Sequence, residues 1–170
     1  MGRPPPRDLV TGLREARSSE QALLQRWRGE PASEYEDWTG DARDEGAPAP
    51  VGGGELVVTD DGDVPIGIVS WRAVSYGPGA RSQALDIGIS LRPQGRGQGH
   101  GSRAQRLLAD HLFATTTVHR VQASTDTANE AERAALSRAG FTAEGVLRGA
   151  QWRAGGHRDL VSYARLRDDG

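Results

Sequence analysis

The stretch "QALDIGISLRPQGRGQGHGSRAQRLLADHLF", residues 83–113, limits the fold more than any other part of the chain. Gln83 to Leu91 reads as a β-strand, and Ser102 to Phe113 as a helix whose Ala104, Leu107, Leu108 and Leu112 share one apolar face. Between them Gly95, Gly97, Gly99 and Gly101 occupy alternate positions. Without Cβ atoms, successive backbone N–H groups can converge on an anion, and the helix that follows adds the positive end of its dipole. A strand, a bare loop and a helix in this order imply a phosphate cradle in a mixed α/β sheet; a glycine loop that is merely flexible is the plain alternative.

Two other phosphate binders are excluded. A P-loop needs Gly-x-x-x-x-Gly-Lys, and all 21 basic residues of this chain are arginine. The dinucleotide fingerprint Gly-x-Gly-x-x-Gly fails in both registers, because His100 and Ser102 stand where the last glycine belongs. What fits is Arg/Gln-x-x-Gly-x-Gly, once from Gln94 and once from Arg96. The lack of lysine, which codon bias in a high-GC genome explains, also removes any Schiff base, and the lack of cysteine removes thiolate chemistry and cysteine metal sites. The four histidines show no metal-ligand spacing, so no metal is expected. His100 sits in the cradle, within reach of a phosphate or simply solvated, while His111 and His119 read as structural and His157 as part of a hairpin. A net charge of -2 gives no basic stripe for nucleic acid. No apolar run approaches the ~18 residues of a membrane span, and no secretory signal is evident, so a cytoplasmic location is the default expectation.

The remaining chain divides by period. Residues 1–7 read as a frayed Pro/Arg tail and residues 8–168 as one domain. Leu9 to Arg14 suggests a short strand, and Ser18 to Arg28 a helix with Ser18 or Ser19 as N-cap. "ASEYEDW" suggests a further short helix, and residues 39–54 a mobile surface loop. Glu55 to Thr59 and Pro65 to Val74 form a hairpin around Asp-Asp-Gly-Asp. "VHRVQAST" reads as a strand and "NEAERAALSRAG" as a helix capped by Gly140. Two long strands close the chain around Ala154-Gly155-Gly156. The order predicts a central mixed sheet of about six to seven strands with helices on both faces. Gly88, in mid-strand, suggests a bulge or a close backbone approach.

Three ordered blocks, "LDIGISLRPQGRGQGHGSRAQRLLADHLF", "VHRVQASTDTANEAERAALSRAGFTAEGVLR" and "GGHRDLVSYARLRDD", resemble the GNAT superfamily of N-acetyltransferases, in particular its ribosomal-protein alanine acetyltransferase subgroup. The resemblance implies a splayed sheet, a fold in which the pantetheine arm of acetyl-CoA lies between two parted strands. It implies that Ile89 and Leu91 offer backbone groups to that arm, that Arg96, Gly97, Gln98, Gly99, His100, Gly101 and Ser102 hold the pyrophosphate, and that Asn129 contacts the cofactor. A bulge at Gly88 would open the splay.

The implied reaction is direct attack of a primary amine, on a small molecule or a protein N-terminus, on the acetyl thioester in a ternary complex. The attacking ammonium must first lose a proton. Asp86, just before Ile-Gly, resembles the family's acidic residue, with a salt-bridged strand carboxylate as the plain alternative. The subgroup's Asn-x-x-Ser is Asn129-Glu130-Ala131-Glu132 here, so Glu132 replaces the serine proposed to protonate the thiolate, and capping-box chemistry explains it as well. Tyr163 is a candidate near the thiolate or a packed strand tyrosine, and a backbone N–H near Ile89 would meet the oxyanion. Tyr35, Trp38, Trp71 and Trp152 are candidates to line the acceptor cleft. A homodimer is admitted as the assembly. A non-catalytic acyl-CoA-binding module and a transferase using a longer acyl donor are the alternatives.

Overall fold

The computed structural model describes residues 11–30, 33–36, 52–77 and 80–169. The expected tail over residues 1–7, Trp38 and the body of the loop over residues 39–51 lie outside the described residues.

Seven strands form one sheet: β1 Gly12–Arg14, β2 Gly54–Thr59, β3 Pro65–Ser75, β4 Gln83–Leu91, β5 Arg120–Asp126, β6 Thr142–Arg153 and β7 Gly156–Leu166, in the order β1-β2-β3-β4-β5-β7-β6. Every pairing is antiparallel except β4 with β5, which is parallel and joined through a helix. That helix is α2, His100–Thr115; α1 spans Gln21–Gly29 and α3 Glu130–Arg138.

Alternation along the strands assigns the helices to faces. Val58, Val69, Leu85, Ile87, Val121 and Ala123 enter one core with Ala104, Leu108 and Leu112 of α2 and Leu136 of α3. Burying a leucine of this kind is worth about 2 kcal/mol. Glu55 and Val57 of β2 face the other way, and Arg28 of α1 pairs with Glu55 at 2.6 Å. Arg92 at the end of β4 lies 4.9 Å over the Trp27 ring and donates to the Glu30 carbonyl at 3.3 Å, which fastens the end of α1 to this second face. Helices therefore occupy both faces.

Turn chemistry accounts for the connections. Asp60 Oδ1 accepts from the N–H groups of Gly62 and Val64, both at 2.9 Å, and closes the β2–β3 hairpin. Ala154 and Gly155 both have positive φ, 50° and 73°, as a two-residue hairpin turn with the right twist requires. Helix α3 ends with Phe141 N–H on the Leu136 carbonyl and Gly140 N–H on the Ser137 carbonyl, the Schellman pattern expected at Gly140. Near the C-terminus, Arg167 donates to the carbonyls of Phe113, Thr116 and Val118 and satisfies the end of α2.

Four expectations need correction. Neither Ser18 nor Ser19 caps a helix: both lie in a 3-10 turn, and α1 starts behind it, with Glu20 as N-cap. The second short helix is a 3-10 turn, Glu34–Glu36. Gly88 is not a bulge, because β3 and β4 pair without a register shift from Gly67–Leu91 to Ser75–Gln83. Its use is close approach, since a Cβ there would stand 3.3 Å from Ser70 Oγ. Helix α2 also begins at His100, two residues earlier than its apolar pattern marks it.

Arg14 joins β1 to its neighbours, reaching Glu20 at 2.7 and 2.8 Å and Asp63 at 2.7 Å. Hydrogen bonds from Arg14, then from the Arg17 backbone, hold the Glu20 carboxyl down at about 2. A depressed carboxyl stabilises the fold above its unfolded value near 4.5 and loses that contribution as pH falls toward 2. Glu20→Gln should therefore lower Tm at neutral pH and converge with the wild type as acid is added from pH 4.5 downward. Thermal denaturation across that range checks it.

Candidate functional site

The parallel pairing of β4 with β5 covers only Ala84–Arg120, Leu85–Val121 and Asp86–Gln122. Beyond it the strands part, while β4 stays paired with β3 to Leu91 and β5 with β7 to Asp126. The facing edges of Ile87–Leu91 and Ala123–Asp126 line a cleft of about 820 Å3, well within the range of ligand pockets. The cleft runs through the sheet. On the α2–α3 side it is bounded by Arg96, Gly97, Gly99, Gly101 and Ser102 and by one face of α3 from Asn129 to Arg138; on the other side by Ser33, Glu34, Tyr35 and Gln151. Gly88 and Ser124 stand in the gap.

The four alternate glycines serve different ends. Gly95 is buried, and a Cβ there would meet Ile66 at 3.1 Å. Gly97 and Gly99 have φ of 71° and 88° with open space around them. Gly101 belongs to α2 and is under neither demand. The first intrahelical bond of α2 runs from Arg103 N–H to the Gly99 carbonyl at 3.2 Å, so the N–H groups of His100, Gly101 and Ser102 have no partner within the helix. These donors and the dipole of a 16-residue helix make this end of the cleft anion-binding. Arg96 adds a guanidinium on the cleft wall, braced by Nε on the Leu91 carbonyl at 2.8 Å. The open cradle and the unpaired strand edges fit a phosphate-bearing ligand with an extended, amide-containing arm.

Of the other expected residues, Ile89, Leu91, Asn129, Glu132 and Tyr35 line the cleft. Asn129 is the N-cap of α3: Oδ1 accepts from Glu132 N–H at 3.2 Å and Nδ2 donates to Thr125 Oγ1 at 3.1 Å. Gln98 folds back on the Gln94 carbonyl at 2.8 Å and is not part of the wall. His100 is neither solvated nor turned into the cradle: it is buried, with Nδ1 2.9 Å from Thr11 Oγ1, and anchors α2 beside β1. Tyr163 is packed in the core, Trp71 lies edge-on to His111 at 6.4 Å beside that core, and exposed Trp152 lies against His157 at 5.0 Å; none of the three reaches the cleft wall. Asp86 is on β4 at the last pair before the parting, on the face opposite α2 and α3. It does not line the cleft itself; Arg72 holds its Oδ2 at 2.8 and 3.0 Å, and Oδ1 accepts nothing from the described residues.

Sequence reasoning missed Gln105, Asp126, Gln151 and Arg153. Gln105 lines the cleft from α2 and donates to the Gly101 carbonyl at 3.2 Å. Asp126 ends β5 and accepts from Ala128 N–H at 2.8 Å and from Arg153, both side chains of the ion pair being 7% exposed. The Asp-Thr-Ala-Asn run marks Asp126 as a turn residue, but nothing local links it to an arginine 27 positions away. No grouping of His, Asp and Glu suited to a metal ion occurs among the described residues.

The family model described as "Acetyltransferase (GNAT) domain" matches residues 3–142. No curated protein sequence matches the chain at a significant level. Among solved structures, a ribosomal-protein-S5-alanine acetyltransferase from Vibrio fischeri is 28% identical over 68% of this chain and 62% of its own, with a TM-score of 0.59. Mycobacterium smegmatis RimJ, in complex with CoA-disulfide, shares the fold at 24% identity over 94% of this chain and 83% of its own, with a TM-score of 0.71. A spermidine N-acetyltransferase SpeG chimera from Vibrio cholerae and hSSAT also shares it, at 18% identity over 92% and 95% and a TM-score of 0.71. The chain spans about 62–65% of the length of solved structures it matches at 28% identity.

The glycines separate strain from space. Gly99→Ala should cost about 1–2 kcal/mol, because its left-handed φ is unfavourable to a Cβ although no atom blocks one. Gly101→Ala, within α2 and with its nearest contacts at 3.5 and 3.9 Å, should be neutral or stabilise by up to ~1 kcal/mol. Urea denaturation of the two variants distinguishes these outcomes.

Proposed function

The chain belongs to the GNAT acetyltransferase family, and from that premise we propose that it moves an acetyl group from acetyl-CoA to a primary amine by direct attack within a ternary complex. The observation that carries this reading is a single cleft that passes through the sheet, with an anion cradle on one face and a separate entrance on the other. Two substrates can meet in it from opposite sides, and placing them is itself a large part of such catalysis.

Bound acetyl-CoA supplies the activated thioester. The N–H groups of His100, Gly101 and Ser102 and the Arg96 guanidinium would hold its pyrophosphate. Its amide-bearing arm would lie along the parted edge of β4, against the backbone of Ile89 and Leu91, where the Leu91 carbonyl is already held by Arg96. A backbone N–H near Ile89 is the oxyanion donor in this scheme.

Proton acceptance falls to Asp86. It stands two residues before the cleft residue Gly88, on the acceptor face; Arg72 fixes one carboxylate oxygen and the other is left to take a proton relayed by water from the cleft. Asp126 is unsuited to this task because both of its oxygens are already engaged. Glu132 we assign to the N-terminus of α3, where its N–H completes the Asn129 cap and its charge suits the dipole. The acceptor is a small-molecule amine or a protein N-terminus, and the likeness to an alanine acetyltransferase at 28% identity supports the latter.

Arg96→Glu reverses charge at the cradle, so acetyl-CoA affinity by calorimetry should fall at least roughly tenfold while Tm changes by no more than a few degrees. Unchanged affinity would move the pyrophosphate elsewhere. Asp86→Asn should lower kcat by roughly 10²-fold or more with acetyl-CoA binding intact, read by thiol release with an amine panel. Tight acetyl-CoA binding with no thiol release from the wild type and any amine would leave an acyl-CoA-binding module instead.

A further inference from the structure

On the acceptor face, three distant segments meet at one guanidinium. Arg153, at the end of β6, forms a buried ion pair with Asp126 at the end of β5 and donates through Nη1 to the Glu34 carbonyl at 2.6 Å. Its guanidinium carbon lies 5.0 Å from the centre of the Tyr35 ring. Tyr35 in turn donates its hydroxyl to the Ala128 carbonyl at 3.2 Å, and Ala128 N–H donates to Asp126 Oδ1 at 2.8 Å. The result is a closed ring of contacts, Arg153 to Tyr35 to Ala128 to Asp126 and back. Glu34, Tyr35, Asp126 and Gln151 all line the cleft, whereas Arg153 itself does not.

Glu34 is exposed and Tyr35 only half-buried, so the position of this short turn depends on these contacts. We propose that Arg153 is a positioning residue: it pins residues 33–36 across the acceptor entrance and thereby sets the affinity for the amine, with no contact to either substrate's reacting atoms. This assignment rests on the transferase reading above. It separates the two halves of the site, since the cradle and the Ile87–Leu91 edge that would hold acetyl-CoA take nothing from Arg153.

A planar fork is what the node requires. Arginine serves the Asp126 carboxylate and the Glu34 carbonyl with different nitrogens while stacking on a ring. Lysine can keep the ion pair but cannot hold all three. Arg153→Lys should therefore retain most of the wild-type Tm and still raise the amine KM on the order of tenfold, with acetyl-CoA KM within about twofold. Tyr35→Ala, at a half-exposed position where the fold has little at stake, should raise the same KM similarly. Both variants should speed amide hydrogen exchange in the peptide spanning residues 33–36.

A purely structural role predicts the opposite split: Tm falls and the amine KM does not move. If Tyr35→Ala and Arg153→Lys both acetylate amines with wild-type KM, the positioning role is overturned and the transferase reading survives. If the wild type binds acetyl-CoA but acetylates no amine, the transferase reading fails and this role fails with it.

Discussion

The parting of β4 from β5 is the constraint on which the rest depends. Parallel pairing holds the two strands for only three residue pairs. Each is secured instead by its other neighbour, β4 by nine pairs with β3 and β5 by seven with β7. The sheet can therefore divide without losing either half. The division leaves two lines of backbone N–H and C=O groups that solvent or a ligand must satisfy. It also sets α2 and α3 side by side above the gap, so that the N-terminal ends of both helices bound the cleft.

A chain without lysine builds its inter-element ties from one cation, and the geometry shows the consequence. Arg14 links the first strand to a helix start and to a hairpin, Arg92 links β4 to α1, Arg153 links β5, β6 and the Glu34–Glu36 turn, and Arg167 closes the end of α2. Several of these contacts use different nitrogens of one guanidinium for different partners, which an ammonium on a flexible stem cannot reproduce with the same geometry. Asp86 with Arg72, Glu144 with Arg120 and Asp126 with Arg153 repeat the theme across one face of the sheet. The arginine forks of Arg120 hold the Glu144 carboxyl below its ordinary range. The carboxylates on that face are thus tied one by one to guanidinium groups.

What could be read from the sequence was what is written locally. The strand and glycine loop over residues 83–99 and both hairpins appear where the local pattern puts them, and the helix that follows differs only by two residues at each end, because each depends on neighbours in the chain. The errors have a common origin. Gly88 looked like a bulge because a mid-strand glycine has two uses, and the choice was made by Ser70 on the adjoining strand. His100 looked solvated because its partner, Thr11, lies 89 residues away. Gly95, Gly97, Gly99 and Gly101 looked equivalent, yet one is set by the Ile66 side chain, two by backbone twist and one by neither. Arg153 carried no local mark at all, since its role exists only once β5, β6 and the Glu34 turn are together.

This asymmetry explains why the donor half of the site is legible and the acceptor half is not. The cradle and the strand edge that faces it come from one contiguous stretch, residues 87–102, so a single motif specifies them. The other entrance is lined by residues 33–35, 126 and 151, with Arg153 tying it from behind and Asp86 and Arg72 beside it, positions that only the fold brings together. A contiguous motif can be recognised from the chain's own sequence. A surface gathered from scattered positions can change one residue at a time without disturbing the sheet, provided that the ties beneath it hold. On the proposed reading, acceptor choice should accordingly reside in the scattered residues that Arg153 positions, and donor binding in the contiguous backbone of residues 87–102 together with Arg96.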